Sequence, residues 1–245
     1  MENMEYYTQR LQCSDKEKDA CLETVAKLYR LHLYVRRSGD VAADIFAETE
    51  TDPFFRACLQ EFWEYSWDHD RLERQFLRYL MAGNYRGGAF LNAVLISQGL
   101  LLINRYQAGA YFPRDWDEVL CEELRGYFGA AYREKVAATI EREEVWYTRT
   151  KKEWPSLIPE FDKLTELSPQ QRDWLVSRIP VTTLERALKA GGVEVSEFLM
   201  GGVENPEQLK TEMAHICVPA WIIRDAQRKI LEKTAELISS ANGTV

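Results

Sequence analysis

The residues of this chain with the widest chemical reach are three histidines, five cysteines and one dense run of acids, Glu61, Glu64, Asp68, His69, Asp70 and Glu73. Carboxylates and an imidazole at such spacing could bind a divalent metal or share acid and base work. A di-metal helical bundle, however, repeats carboxylates and Glu-x-x-His pairs on several helices. Here one patch exists, and Glu61, Glu64 and Asp68 at helical spacing read as a solvated acidic face. His32, His69 and His215 lie far apart in sequence, and nothing beside them marks a positioned nucleophile and base. Gly87-Gly88 and Gly191-Gly192 lack the Lys-Ser/Thr of a phosphate loop and follow no strand, so both read as turns. Cys13, Cys21, Cys58, Cys121 and Cys217 are odd in number, scattered and without a CxxC, which argues against a disulfide framework or zinc site and for reduced cytosolic thiols. No catalytic residue, metal or cofactor is expected.

Composition narrows the classes further. The 245 residues are 46% hydrophobic and 29% charged, with a net charge of −8. That is ample for a core and ordinary for a globular protein. The acidic balance argues against nucleic acid, whose binding needs a basic field, and against adhesion to anionic lipid. The N-terminus shows no signal-peptide pattern. The apolar run Phe90–Ile103, broken by Asn92, Ser97 and Gln98, falls short of the ~20 residues a membrane span needs. It reads as a buried core helix, with no membrane insertion.

The elements that would position these residues are helices. Ser14-Asp-Lys-Glu17 fits a capping box opening a helix over about 15–37, with Val25, Leu28, Leu31 and His32 on one face and Gly39 at its end. Asp40 is placed to cap a second helix to about 50. Thr51-Asp52-Pro53 starts a third, carrying Phe54, Phe55, Cys58, Leu59, Phe62 and Trp63; its aromatics read as core. Asp68 to Asp70 starts a fourth, with Leu72, Phe76, Leu77 and Leu80 inward. A loop over 83–88 leads to the apolar helix 90–107, and a loop over 109–114 holds Pro113. Helices over 115–127 and 131–152 follow, the latter charged, with Val136, Ile140, Val145 and Trp146 as its seam. Trp154 to Pro159, with two prolines, reads as a stiff junction. Beyond it, Phe161–Lys189 carries three apolar stripes: Phe161, Leu164 and Leu167; Leu175 and Ile179 after Ser168-Pro169; Leu184, Ala187 and Leu188 after Thr182-Thr183. Further helices start at Asn205-Pro206 and Pro219, the last with Ile222, Ile223, Ala226, Ile230 and Leu237 in phase and a frayed tail from Ser239. No strand pair or repeat is apparent. The fold expected is all-α, in two helical domains over 1–153 and 160–240.

From Phe161 onward, over about 80 residues, the chain resembles the C-terminal domain of the flagellar motor-switch family FliG. The resemblance rests on Phe161-Asp-Lys-Leu164-Thr-Glu-Leu167, Leu184-Glu-Arg-Ala187-Leu188-Lys189, Leu209 to Met213, and Asp225-Ala226-Gln227-Arg228-Lys229-Ile230, in order and without a gap between the first two. It departs from the family at Ser168-Pro169-Gln170, where the family has Asp-Asp-Arg. It departs again at the torque helix, whose arginine position falls near Glu204 and whose acid pair survives only at Glu212. Lys189 keeps a basic position. The first domain resembles, more faintly, the cytoplasmic part of the stator family MotA. Arg36-Arg37-Ser38-Gly39 and Asp44 echo its charged segment, and Gly99, Ile103, Gly109, Pro113 and Arg114 echo a later one. The membrane helices of that family are absent.

These resemblances imply a soluble, non-enzymatic protein associated with the flagellar motor, in the cytoplasm or at the basal body on the inner face of the membrane. It would modulate motility, torque or switching through contacts with rotor or stator proteins, with Arg36, Asp44, Lys189 and Glu212 steering the docking. The lost charges weigh against full torque generation. The alternative is a helical adaptor that reuses the rotor-type fold outside motility.

Overall fold

The computed structural model describes residues 9–107, 116–150 and 154–242, and every regular element among them is helical. The chain divides into two compact units, Met1–Tyr147 and Thr148–Val245. The division falls inside a helix, ahead of the proline-rich stretch expected as the junction. The expected loop over 109–114, with Gly109, Pro113 and Arg114, lies outside the described residues.

In the first unit the helices are α1 (Asp15–Ser38), α2 (Val41–Thr49), α3 (Pro53–Tyr65), α4 (His69–Ala82), α5 (Gly87–Gln107), α6 (Trp116–Gly126) and, after a 3-10 turn at Ala130–Tyr132, α7 (Arg133–Thr150). The capping box of α1 forms: the Glu17 backbone N–H reaches the Ser14 hydroxyl, and the Glu17 carboxylate accepts the Ser14 N–H at 2.7 Å. Asp52 caps α3 by accepting from the N–H groups of Phe54 and Phe55. Each such cap is worth ~1 kcal/mol. Asp40 departs from expectation. It adopts helical φ/ψ and makes no cap; its carboxylate accepts from the Ser66 hydroxyl at 2.6 Å instead. Gly39 makes the turn before it with φ of 69°, a left-handed geometry that glycine adopts without strain.

α5 is the centre of this unit and packs on α1, α3, α4 and α6. Phe90, Leu91, Val94, Leu95, Leu100 and Ile103 are all fully buried. At 21 residues it is longer than the apolar run alone suggests, and Gly87–Arg105 is long and apolar enough to cross a membrane. Its polar interruptions are satisfied inside the unit: Asn92 accepts from Thr24 and donates to Asp52 at 3.1 Å, and the Ser97 hydroxyl donates to the Ala93 carbonyl. Gly87-Gly88 is the first turn of α5, not a loop. α1 lies so close that a Cβ on Gly88 would meet the Glu17 Cβ at 2.7 Å. The α7 seam also differs from expectation. Val136, Thr139, Ile140 and Glu143 are buried, while Val145 and Trp146 are exposed.

The second unit has a 3-10 helix over Pro159–Glu166, then α8 (Pro169–Arg178), α9 (Val181–Lys189), α10 (Val193–Met200), α11 (Pro206–His215) and α12 (Ala220–Asn242). The three stripes meet in one core, where Phe161, Leu164, Leu175, Leu184, Ala187 and Leu188 join Leu199, Leu209, Ala226 and Ile230. Ser168-Pro169-Gln170-Gln171 is a second complete capping box with proline in the first turn. α9 starts one residue before Thr182-Thr183, on Pro180, with no side-chain cap. α12 continues past Ser239, whose hydroxyl donates to the Ala235 carbonyl.

The proline stretch is built into this unit. Trp154 and Ser156 are buried. The Ser156 N–H and hydroxyl donate to the Asp162 carboxylate, and the Ser156 oxygen accepts the Gly192 N–H at 2.8 Å. The Ile158 N–H donates to Gln227 Oε1.

Candidate functional site

The acidic run comes apart once folded. α3 ends at Tyr65, so Asp68 does not continue the face of Glu61 and Glu64; it caps α4 by accepting the Arg71 N–H at 3.0 Å. Glu61 accepts from the Tyr79 hydroxyl at 2.6 Å. His69 belongs to a polar chain that sequence reasoning missed. Arg105 Nε donates to His69 Nε2 at 2.9 Å, so the ring proton is on Nδ1, which donates to Asn104 Oδ1. The Asn104 amide in turn donates to the Ser66 carbonyl. The Ser66 hydroxyl points at the Asp40 carboxylate and not at an imidazole, so no nucleophile–base pair arises there. Among the described residues, no group of three or more His, Cys, Asp or Glu side chains could hold a metal.

The buried thiols are poor nucleophiles. Burial pushes Cys21 up to about 11 and raises Cys58 further, and only a thiolate attacks. The N-terminus of α5, the obvious place for a bound anion, is filled by the chain's own carboxylate. Glu17 Oε1 accepts the Gly88 N–H at 3.1 Å. Hydrogen bonds from the Ser14 backbone, the Ser14 hydroxyl and the Gly88 N–H hold Glu17 below its ordinary range.

The four expected contact residues fall into two pairs, one in each unit. Arg36 is exposed in the last turn of α1, and Asp44 sits partly exposed in the first turn of α2. Each charge complements the dipole of its own helix end. In the second unit, Lys189 and Glu212 come together on adjoining helices. The Lys189 ammonium donates to the Met213 carbonyl at 2.8 Å, near the C-terminus of α11, where a cation is favoured. Glu212, one residue earlier, accepts from the Gln208 amide at 2.7 Å.

Beside Glu212 lies Glu185, one turn before Lys189 on α9, and only 7% exposed. Burial, then the hydrogen bond and charge of Glu212, raise the Glu185 carboxyl above its usual value. Hydrogen bonds from Gln208 and Glu185 lower Glu212. The two carboxyls thus interact, the buried one shifted up and its more exposed neighbour shifted down. No local pattern distinguishes Glu185 from any other helical glutamate.

Next to this pair is an open groove of about 510 Å³. Val176 of α8, Ile179, Val181, Leu184, Val203 and Leu209 supply its apolar lining. Glu204, Asn205, Gln208 and Glu212 give it a polar, acidic rim. Asn205 is already spent as the N-cap of α11, accepting the Gln208 N–H. Val181 is 56% exposed at the groove's mouth. The one hydroxyl side chain in its lining, Ser177, donates to the Trp174 carbonyl.

Compared with protein-family models, with curated proteins and with solved structures, the chain finds no match.

Proposed function

We propose that this chain is a non-enzymatic protein associated with the flagellar motor, acting in the cytoplasm through contact with rotor or stator proteins. One observation carries the reading. Glu212, an acid kept from the rotor-type pattern, lines an open apolar groove with an acidic rim, and Lys189, the basic position kept from that pattern, reaches from the adjoining helix to the Met213 carbonyl. Apolar surface supplies affinity in such contacts, and rim charge selects and steers the partner. The residues with chemical reach support the same reading, since Asp68, His69 and Glu17 are engaged in capping and packing.

The alternative, a helical adaptor outside motility, draws support from Ser168-Pro169-Gln170. Where the rotor family carries charge, these residues serve a capping box. Affinity capture with the tagged full chain from motile cells separates the two. Recovery of a rotor or stator component, together with altered swimming or switching on deletion, is the expected result. Unchanged swimming with no motor component recovered overturns the motor reading.

A further inference from the structure

Resting on the reading of the second unit as a contact module, we propose that its groove takes one amphipathic helix of a partner protein, apolar on the buried face and bearing lysine or arginine at the flank. The apolar lining sets the first requirement. Val176, Ile179, Leu184, Val203 and Leu209 offer apolar surface that only apolar side chains match, and Val181 extends it into solvent. The lining comes from three helices and the turns beside them, with no strand edge among the described residues to augment, so a helix laid ridge into groove is the fitting secondary structure.

The charge of the rim sets the second requirement. Glu204 and Glu212 line the groove, no lysine or arginine stands among the described residues that line it, and the nearby Lys189 ammonium is turned onto the Met213 and Ala214 carbonyls. A basic flank would meet two carboxylates, whereas an acidic helix would bring like charges together at a partly dry surface.

The test uses the full chain and two synthetic helical peptides. Both carry leucine at i, i+3, i+4 and i+7; one has lysines beside that stripe and its twin has glutamates. Anisotropy titration is expected to give saturable binding of the lysine peptide and none of the glutamate twin. Val181→Ser and Glu204→Lys are each expected to weaken binding about five- to tenfold. Glu232→Lys, on an exposed residue of α12 outside the groove, should change it less than about twofold. Helical content, read by circular dichroism, should match in all three variants, since each position is exposed.

Equal weakening by Glu232→Lys means diffuse charge attraction and overturns the proposal. So does binding of the glutamate twin, or no saturable binding of the lysine peptide up to ~1 mM. A self-associated chain that becomes monomeric on Val181→Ser in sedimentation overturns it in favour of a second copy as occupant. Peptide failure with a motor component still recovered removes the groove and leaves the motor reading; peptide binding without any motor component does the reverse.

Discussion

Glu143 shows how a single residue can carry more than its surroundings in sequence suggest. It lies in a charged stretch of α7, yet its side chain is only 3% exposed and is gripped by Arg30 Nε and, at 3.1 Å, by Arg142 Nε. Burial raises its carboxyl, but the hydrogen bonds and charges of the two arginines prevail and hold it below the ordinary range. A carboxylate with a lowered folded pKa adds stability above its unfolded pKa and loses it as pH falls through the folded value. Arg30→Met keeps most of the packing volume and strands the carboxylate with Arg142 alone. It should destabilise the first unit by about 2–4 kcal/mol at neutral pH. The gap to wild type should close as pH falls below the ordinary carboxylate range, because Glu143 is then neutral in both proteins. Urea midpoints across that range measure this, and a cost independent of pH would assign the loss to packing. Asn104 and Gln227 are comparable buried polar residues. The Gln227 amide donates to the Ala187 carbonyl while its oxygen accepts the Ile158 N–H, tying the proline stretch to α9 and α12.

At the scale of elements, helix starts were legible wherever the signal was local. Ser14 with Glu17, Asp52 with Pro53 and Asn205 with Pro206 all cap as their spacing implies, and Ser168-Pro169, expected only to precede a helix, closes a capping box with Gln171. Asp40 and Thr182-Thr183 have the right residue types but do not cap, since Ser66 draws the Asp40 carboxylate away and Pro180 already opens α9. The α1–α5 approach has no local signature at all. It depends on Gly88, where a Cβ would press on the Glu17 Cβ and displace the carboxylate that caps both helices. Gly88→Ala should therefore cost about 1–3 kcal/mol, as overpacking does. Gly126→Ala is the counterpart: it ends α6 with no heavy atom within 4 Å of a new Cβ, and should be neutral or stabilise by up to ~1 kcal/mol. Paired thermal melts compare them, and equal effects would remove the argument from close approach.

At the scale of the whole molecule, each unit buries apolar side chains of its own, the first around α5 and the second around Phe161. Phe161 is fully buried, and Phe161→Ala should remove about 3–5 kcal/mol from the second unit. That is a large part of the stability of an ordinary domain. Hydrogen exchange should then show amide protection falling over 154–242 and persisting over 15–107. A parallel loss in both ranges would mean the units unfold as one.

The sequence by itself determined the all-helical class, the apolar stripes and most caps, because helical periodicity and capping act within about four residues. Those rules need no knowledge of what arrives from elsewhere. Only the tertiary structure decided that Trp154–Pro159 belongs inside the second unit, that Glu17 serves two helices, that His69 is held between Asn104 and Arg105, and that Glu185 meets Glu212 beside a groove. Each depends on a partner brought from far along the chain, 71 residues away for Glu17 and Gly88, 69 for Ile158 and Gln227. A buried polar group takes whichever partner the packing delivers, and packing is a property of the assembled core rather than of any local spacing.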